Sequence, residues 1–226
     1  MSQFPKPYHL ADETISALNR KAVRRVDQTK QRLITLKFDE LNVLQEIDSL
    51  YAGLELDNRR AFRKLFHDRY VELWIWLKGT EYGGNLRGNE PDEDILDELI
   101  DMALAGLLDE PNAVTRYTYS TEVIRKRDRA KEAINSAPTK AQKQLELDKA
   151  LRYWSSQTGF YVDLCEDEAT VQVFKDAGVR KGMWNSQEDG KVCSDCRDLN
   201  GKIFLIEQLP EKPHPRCRCY ITPVRS

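Results

Sequence analysis

A chain of 226 residues is long enough to bury one large hydrophobic core or two small ones. Its 35 basic and 37 acidic side chains leave a formal net charge of -2, so there is no global pull toward nucleic acid or an anionic membrane, and any such binding must come from a local patch. No apolar run approaches the ~20 residues of a membrane span, and the polar, proline-broken start MSQFPKPYHL does not read as a signal segment; the expectation is a protein made and assembled inside a cell, with no membrane partner.

Residues 12–77 carry few breakers, many charges and apolar residues at helical spacing, which predicts long helices. Asp12 is placed to cap a first helix whose stripe is Ile15, Leu18, Ala22 and Val26, with Arg20, Lys21, Arg24 and Arg25 mostly on other faces. A second stripe runs through Leu41, Leu44, Ile47 and Tyr51. Asn58 then reads as the cap of a third helix bearing Phe62, Leu65, Phe66, Tyr70, Leu73 and Ile75, whose end at 74–77 is apolar all round and so predicts burial.

Four glycines and a proline in 79–91 predict a loop. A helix resumes over 92–108 with Ile95, Leu99, Met102 and Leu107, its acidic start suiting the positive end of the helix dipole. Residues 111–122 read as extended or turned, followed by a helix over 121–136 that carries the basic run RKRDRAK. Glu122, Asp128 and Glu132 are interleaved there at pairing distances, so a solvated face is expected ahead of a DNA patch. A helix over 139–160 puts Trp154 in the core, and YVDLC continues the pattern to a buried Cys165. Residues 167–179 predict a short helix closed by Gly178. From there the period changes to short strands at 181–185, 202–205 and 217–222, with a knuckle at 193–196 and a DLNG turn at 198–201. The fold class expected is α+β: a mainly helical N-terminal region (1–78, then 79–166 after the glycine-rich loop) and a small zinc-stapled, β-rich C-terminal module (167–226).

The chemistry concentrates in that module. Four of the five cysteines and one of the three histidines lie within 193–219, as Cys193, Cys196, His214, Cys217 and Cys219. A C-x2-C pair followed by H-x2-C-x-C supplies soft ligands on tight turns, which is what a structural zinc requires. Five candidates compete for four positions. Cys193 and Cys196 are the firmest pair, because a C-x2-C turn aims backbone N–H groups at the sulfurs. The second pair is open between His214 with Cys217, Cys217 with Cys219, and His214 with Cys219. Pro213 and Pro215 restrict the backbone beside His214, and Arg216 and Arg218 are placed to offset the charge of a thiolate cluster. A closed site of this kind leaves no open position for a reacting water.

The stretch MWNSQEDGKVCSDCRDLNGKIFLIEQLPEKPHPRCRCYITPV resembles the C-terminal module of the phage Mu F-like minor head proteins, also called phage head morphogenesis proteins. The likeness rests on Trp184, Asp189, Cys193, Cys196, Leu199, Gly201, Ile203, Phe204, Pro210, His214, Pro215, Cys217, Arg218, Cys219 and Pro223. It covers about one-fifth of the chain tightly, and the DAGV-x-x-G-M-W junction at 176–184 is similar to the family's lead-in. The resemblance implies a structural protein of the virion in low copy number, at the portal vertex or capsid interior, assembled in the host cytoplasm. Its implied partners are the portal protein and the major capsid protein, with packaged or injected double-stranded DNA and self-association as further expectations. Some relatives carry toxin or enzyme domains beyond the module; this chain ends at Ser226, and no such domain is expected.

Catalysis is not expected either. His9 and His67 are isolated, Asp92 with Asp94 and Glu166 with Asp167 read as ordinary charged helix ends, and no Walker loop, G-x-S-x-G or H-E-x-x-H occurs. The competing reading is a zinc-dependent nucleic-acid-binding module, supported by Arg180, Lys181, Lys191, Arg197, Lys202, Lys212, Arg216, Arg218 and Arg225. Glu188, Asp189, Asp195, Asp198, Glu207 and Glu211 cancel much of that field.

Overall fold

In a computed structural model of the protein, the described residues are 3–84, 86, 92–111, 116–187, 192–214 and 217–224. Six α-helices and three strands occur among them: α1 His9–Thr35, α2 Glu40–Lys78, α3 Glu93–Asp109, α4 Tyr119–Ser136, α5 Lys140–Asp176, β1 Lys181–Asn185, α6 Ser194–Leu199, β2 Ile203–Leu205 and β3 Tyr220–Val224. The molecule is thus mainly helical, with a small antiparallel sheet at its C-terminal end.

Three long helices, α1, α2 and α5, pack pairwise; α4 lies against α2 and α5, and α3 leans mainly on α2. Leu18, Ala22 and Val26 of the predicted stripe of α1 are buried, Ile15 is half-buried, and Leu33 extends the line. In α2 the buried line begins at Val43 and leaves the expected Leu41 mostly exposed; it then runs through Ile47, Leu50, Leu54, Phe62, Phe66 and Leu73. Each fully buried phenylalanine of this line contributes about 1.5–3 kcal/mol.

Asn58 does not cap a helix. The two helices expected around it are one, and its side chain sits buried at a crossing, with Nδ2 donating to the Tyr119 hydroxyl at 3.0 Å and to Thr158 Oγ1 at 2.9 Å. A polar residue with two interior acceptors has no reason to break the helix it stands on. The end of α2 is likewise not apolar all round in its surroundings, since Leu73 and Leu77 are buried while Ile75 is half exposed.

Asp92, expected in the acidic first turn, stands one residue ahead of α3 as its N-cap, its carboxylate accepting the N–H of Asp94 at 3.0 Å. The buried face is nevertheless Leu96, Ile100, Leu104 and Leu108, one residue out of phase with the predicted stripe, and Ile95 and Met102 point to solvent. The basic run in α4 is largely paired: Arg125 with Glu122, and both Arg127 and Lys131 with Asp48 of α2. Trp154 and Cys165 are in the core, and burial pushes the Cys165 thiol far up, so it stays protonated and inert.

The two helices expected over 139–160 and 167–179 are also one. No break falls at 166–167; α5 continues to Asp176, where Gly178, at φ 69°, closes it with the paired Gly178→Lys175 and Val179→Phe174 backbone bonds of a Schellman turn. The chain then enters β1, the centre of a sheet ordered β2-β1-β3 with both pairs antiparallel. Gly182 stands at that centre, where a Cβ would overlap the Ile221 side chain and lie 3.0 Å from Ile206 Cδ1. The DLNG turn forms as expected: Gly201 takes φ 77° and donates to the Trp184 carbonyl at 2.8 Å.

Candidate metal centre

The knuckle at 193–196 is the start of α6. Cys193 occupies its N-cap, and its Sγ accepts the backbone N–H of Cys196 at 3.3 Å, the N–H to sulfur contact expected of a C-x2-C turn. That contact, ahead of the other influences, lowers the Cys193 pKa.

All five candidate ligands converge around Cys196. Its Sγ lies 3.3 Å from His214 Nε2 and 3.4 Å from Cys217 Sγ. The ligand atoms of Cys193, Cys196 and His214 lie within 4.8 Å of one another, and so do those of Cys196, Cys217 and Cys219. Around a tetrahedral ion with bonds of ~2.3 Å to sulfur and ~2.0 Å to nitrogen, ligand atoms stand about 3.5–3.8 Å apart, so these spacings need little adjustment. No disulfide competes: all five cysteines are free thiols, and 3.4 Å is far beyond the ~2.05 Å of an S–S bond.

The second ligand pair combines two of the arrangements the sequence left open. The Cys217 N–H donates to the His214 carbonyl at 3.2 Å, so these two share a turn, while Cys217 and Cys219 both face Cys196. Cys196 is therefore common to both triads, and the choice of outlier lies among the other four. Burial pushes Cys196 up to about 12, while the contact with Cys219 and burial raise Cys217 further. Cys219 moves the other way, lowered first by Cys217 and also by the Trp184 indole. The cluster shares its protons internally, and a metal ion would release them on binding. Asp189, Pro215 and Arg216, expected near this site, lie outside the described residues, as do Glu188, Lys191 and Arg225.

Arg218 does not offset the cluster. It turns onto α1, its guanidinium 2.9 Å from Asp12 and 5.3 Å from the centroid of the Tyr8 ring. Asp12 is thus an ion-pair partner and not the helix cap. The residue at the cap is Tyr8, in the left-handed region at φ 60°, and the capping group comes from α5: Glu166 Oε1 accepts the Tyr8 N–H at 2.6 Å and Oε2 accepts the Ala11 N–H at 2.9 Å. One remote carboxylate satisfies the two N–H groups that a capping box would satisfy locally.

Glu166 and its neighbour Asp167 are accordingly not a charged helix end; they lie inside α5 and form a joint. Arg69 of α2 approaches Glu166 at 3.6 Å and Glu72 at 2.7 Å. Lys212 reaches Asp167 Oδ2 at 2.6 Å and the Cys217 carbonyl at 2.9 Å, and contacts the Tyr8 hydroxyl. The same hydroxyl is 2.7 Å from Asp167 Oδ1 and 2.6 Å from the Cys219 carbonyl. Burial, and next Asp167, hold the Tyr8 phenol well above its ordinary pKa, so it remains a neutral donor. The backbone of the Cys217–Cys219 ligand turn is thereby tied to the N-terminal segment and to α5. Sequence reasoning missed Tyr8, Arg69, Glu166 and Asp167; the one local hint is EDE at 166–168 inside an otherwise apolar stretch of α5.

Among the described residues no helix is long and apolar enough to cross a membrane. Comparison with protein-family models, curated proteins and solved structures finds no match to the chain.

Proposed function

We propose that the chain is a structural minor head protein of a tailed bacteriophage, placed at the portal vertex or capsid interior during head assembly. In this reading Cys196 and three of Cys193, His214, Cys217 and Cys219 supply the four ligands of one structural Zn2+, and the long helices engage the portal or major capsid protein. The observation that carries it is the convergence of both cysteine–histidine segments on Cys196, within the stretch that resembles the Mu F-like module. Thiolates with one imidazole are the donors zinc prefers, and a site filled by protein ligands has a folding role and no open coordination position. When bound, the ion would hold α6 against the ligand turn and so fix the carbonyls that Tyr8 and Lys212 grip.

The nucleic-acid reading of the module has weaker support, because Lys212 and Arg218 are engaged with Asp167 and Asp12. Sedimentation of the purified chain with portal protein and with capsid shells tests the assembly role. Association that persists as salt is raised is expected; failure to bind either would overturn it.

A further inference from the structure

A second site of defined chemistry lies away from the module. A groove of about 340 Å³ opens between α4 and α5, lined among others by Tyr51, Lys126, Arg129, Ala130, Lys149 and Tyr153. Its size matches the small end of ligand pockets, ~300–1,000 Å³. Lys149 is engaged by Glu146 at 2.5 Å, which neutralises the groove's carboxylate. Lys126 and Arg129 have no ion-pair partner among the described residues, although Arg125, Arg127 and Lys131 of the same run do. The groove therefore carries two cations that form no ion pair among the described residues, with Glu122 acting on Lys126 only from a distance. Tyr153 is 66% exposed, and its ring centroid is 5.9 Å from Lys126 Nζ.

We propose that this groove binds a nucleotide unit of single-stranded nucleic acid, its phosphate held by Lys126 and Arg129 and its base stacked on Tyr153. An exposed aromatic face beside paired cations is the combination by which proteins hold single strands without reading their sequence. Burial, with Arg129 and Arg125 close by, lowers the Lys126 pKa against the pull of Glu122, so an arriving phosphate would relieve an existing repulsion. An acidic peptide would satisfy the cations but has no use for the open ring. The inference is independent of the zinc and of the head-assembly reading, since none of its residues belongs to the C-terminal module.

Fluorescence anisotropy of a labelled oligothymidylate with the full-length protein tests it. Lys126→Ala with Arg129→Ala is expected to weaken binding by about tenfold or more and to reduce the slope of log affinity against log salt by about one. Tyr153→Ala is expected to weaken binding by about tenfold with the slope unchanged. Free thymidine monophosphate should compete better than inorganic phosphate or a polyglutamate peptide, and a duplex should bind less tightly than the single strand. No binding at low salt, wild-type affinity in both variants, equal competition by phosphate or polyglutamate, or equal duplex affinity would each overturn the proposal. Lys126→Gln with Arg129→Gln, and circular dichroism of every variant, separate lost binding from lost structure.

Discussion

The Tyr8 hydroxyl meets the backbone carbonyl of Cys219 at 2.6 Å, across a sequence separation of 211 residues. The contact joins the segment that starts α1 to the turn that carries two candidate metal ligands. A phenol has a single proton, so Tyr8 serves Cys219 or Asp167 at any instant while receiving Lys212. Groups around a metal ligand turn tune the ion's affinity as well as stability.

Tyr8→Phe keeps the ring and removes the hydroxyl, leaving Lys212 and the Cys219 carbonyl short of a partner. A loss of about 1–3 kcal/mol is expected in urea denaturation. Zinc affinity in competition with a chromophoric chelator should fall by ~10-fold or more. Wild-type zinc affinity in this variant would separate the joint from the metal centre.

Glu166→Ala uncaps α1 and strips a carboxylate from the buried Arg69. The expected cost is about 3–5 kcal/mol, measured by the same denaturation, because a buried charge loses part of its compensation. Hydrogen exchange at Tyr8 and Ala11 should quicken more than in the middle of α1.

Burial pushes the carboxyls of Glu166 and Asp167 above their ordinary range, against the pull of Arg69 and Lys212 respectively. A carboxyl whose pKa is higher folded than unfolded binds more protons in the native state across the window between the two values. Stability therefore falls as pH rises through that window and is regained on acidification. In metal-free protein the thermal midpoint should rise as pH is brought down from neutrality into that window, and Glu166→Gln should flatten the slope. A midpoint that falls steadily over the same range would contradict this.

Gly182→Ala drives a methyl into Ile221 and Ile206 at the centre of the sheet. A destabilisation of about 1–3 kcal/mol is expected, confined to the module: helical circular dichroism should survive while zinc binding weakens.

The local signals were legible wherever local chemistry decides. Asp92, Gly178 and Gly201 do what their types predict, and the spacing of Cys193, Cys196, His214, Cys217 and Cys219 anticipates the cluster. What could not be read depends on distant partners. Asn58 looks like a cap until Tyr119 and Thr158 are beside it, and Asp12 looks like a cap until Glu166 takes that role. The stripe through Ile95 and Met102 has helical period, yet period alone cannot say which of two adjacent apolar lines meets α2. The continuity of α5 past Cys165 was hidden for a related reason, since Glu166 and Asp167 resemble a polar boundary when their buried partners are unknown.

Native mass spectrometry of the purified protein is the sharpest test of a zinc staple. One zinc ion per chain is expected, retained through gentle desolvation and lost in Cys193→Ser with Cys196→Ser, with the helical signal largely intact. A wild-type mass without metal, in protein purified without chelator and with all five thiols free, would contradict it.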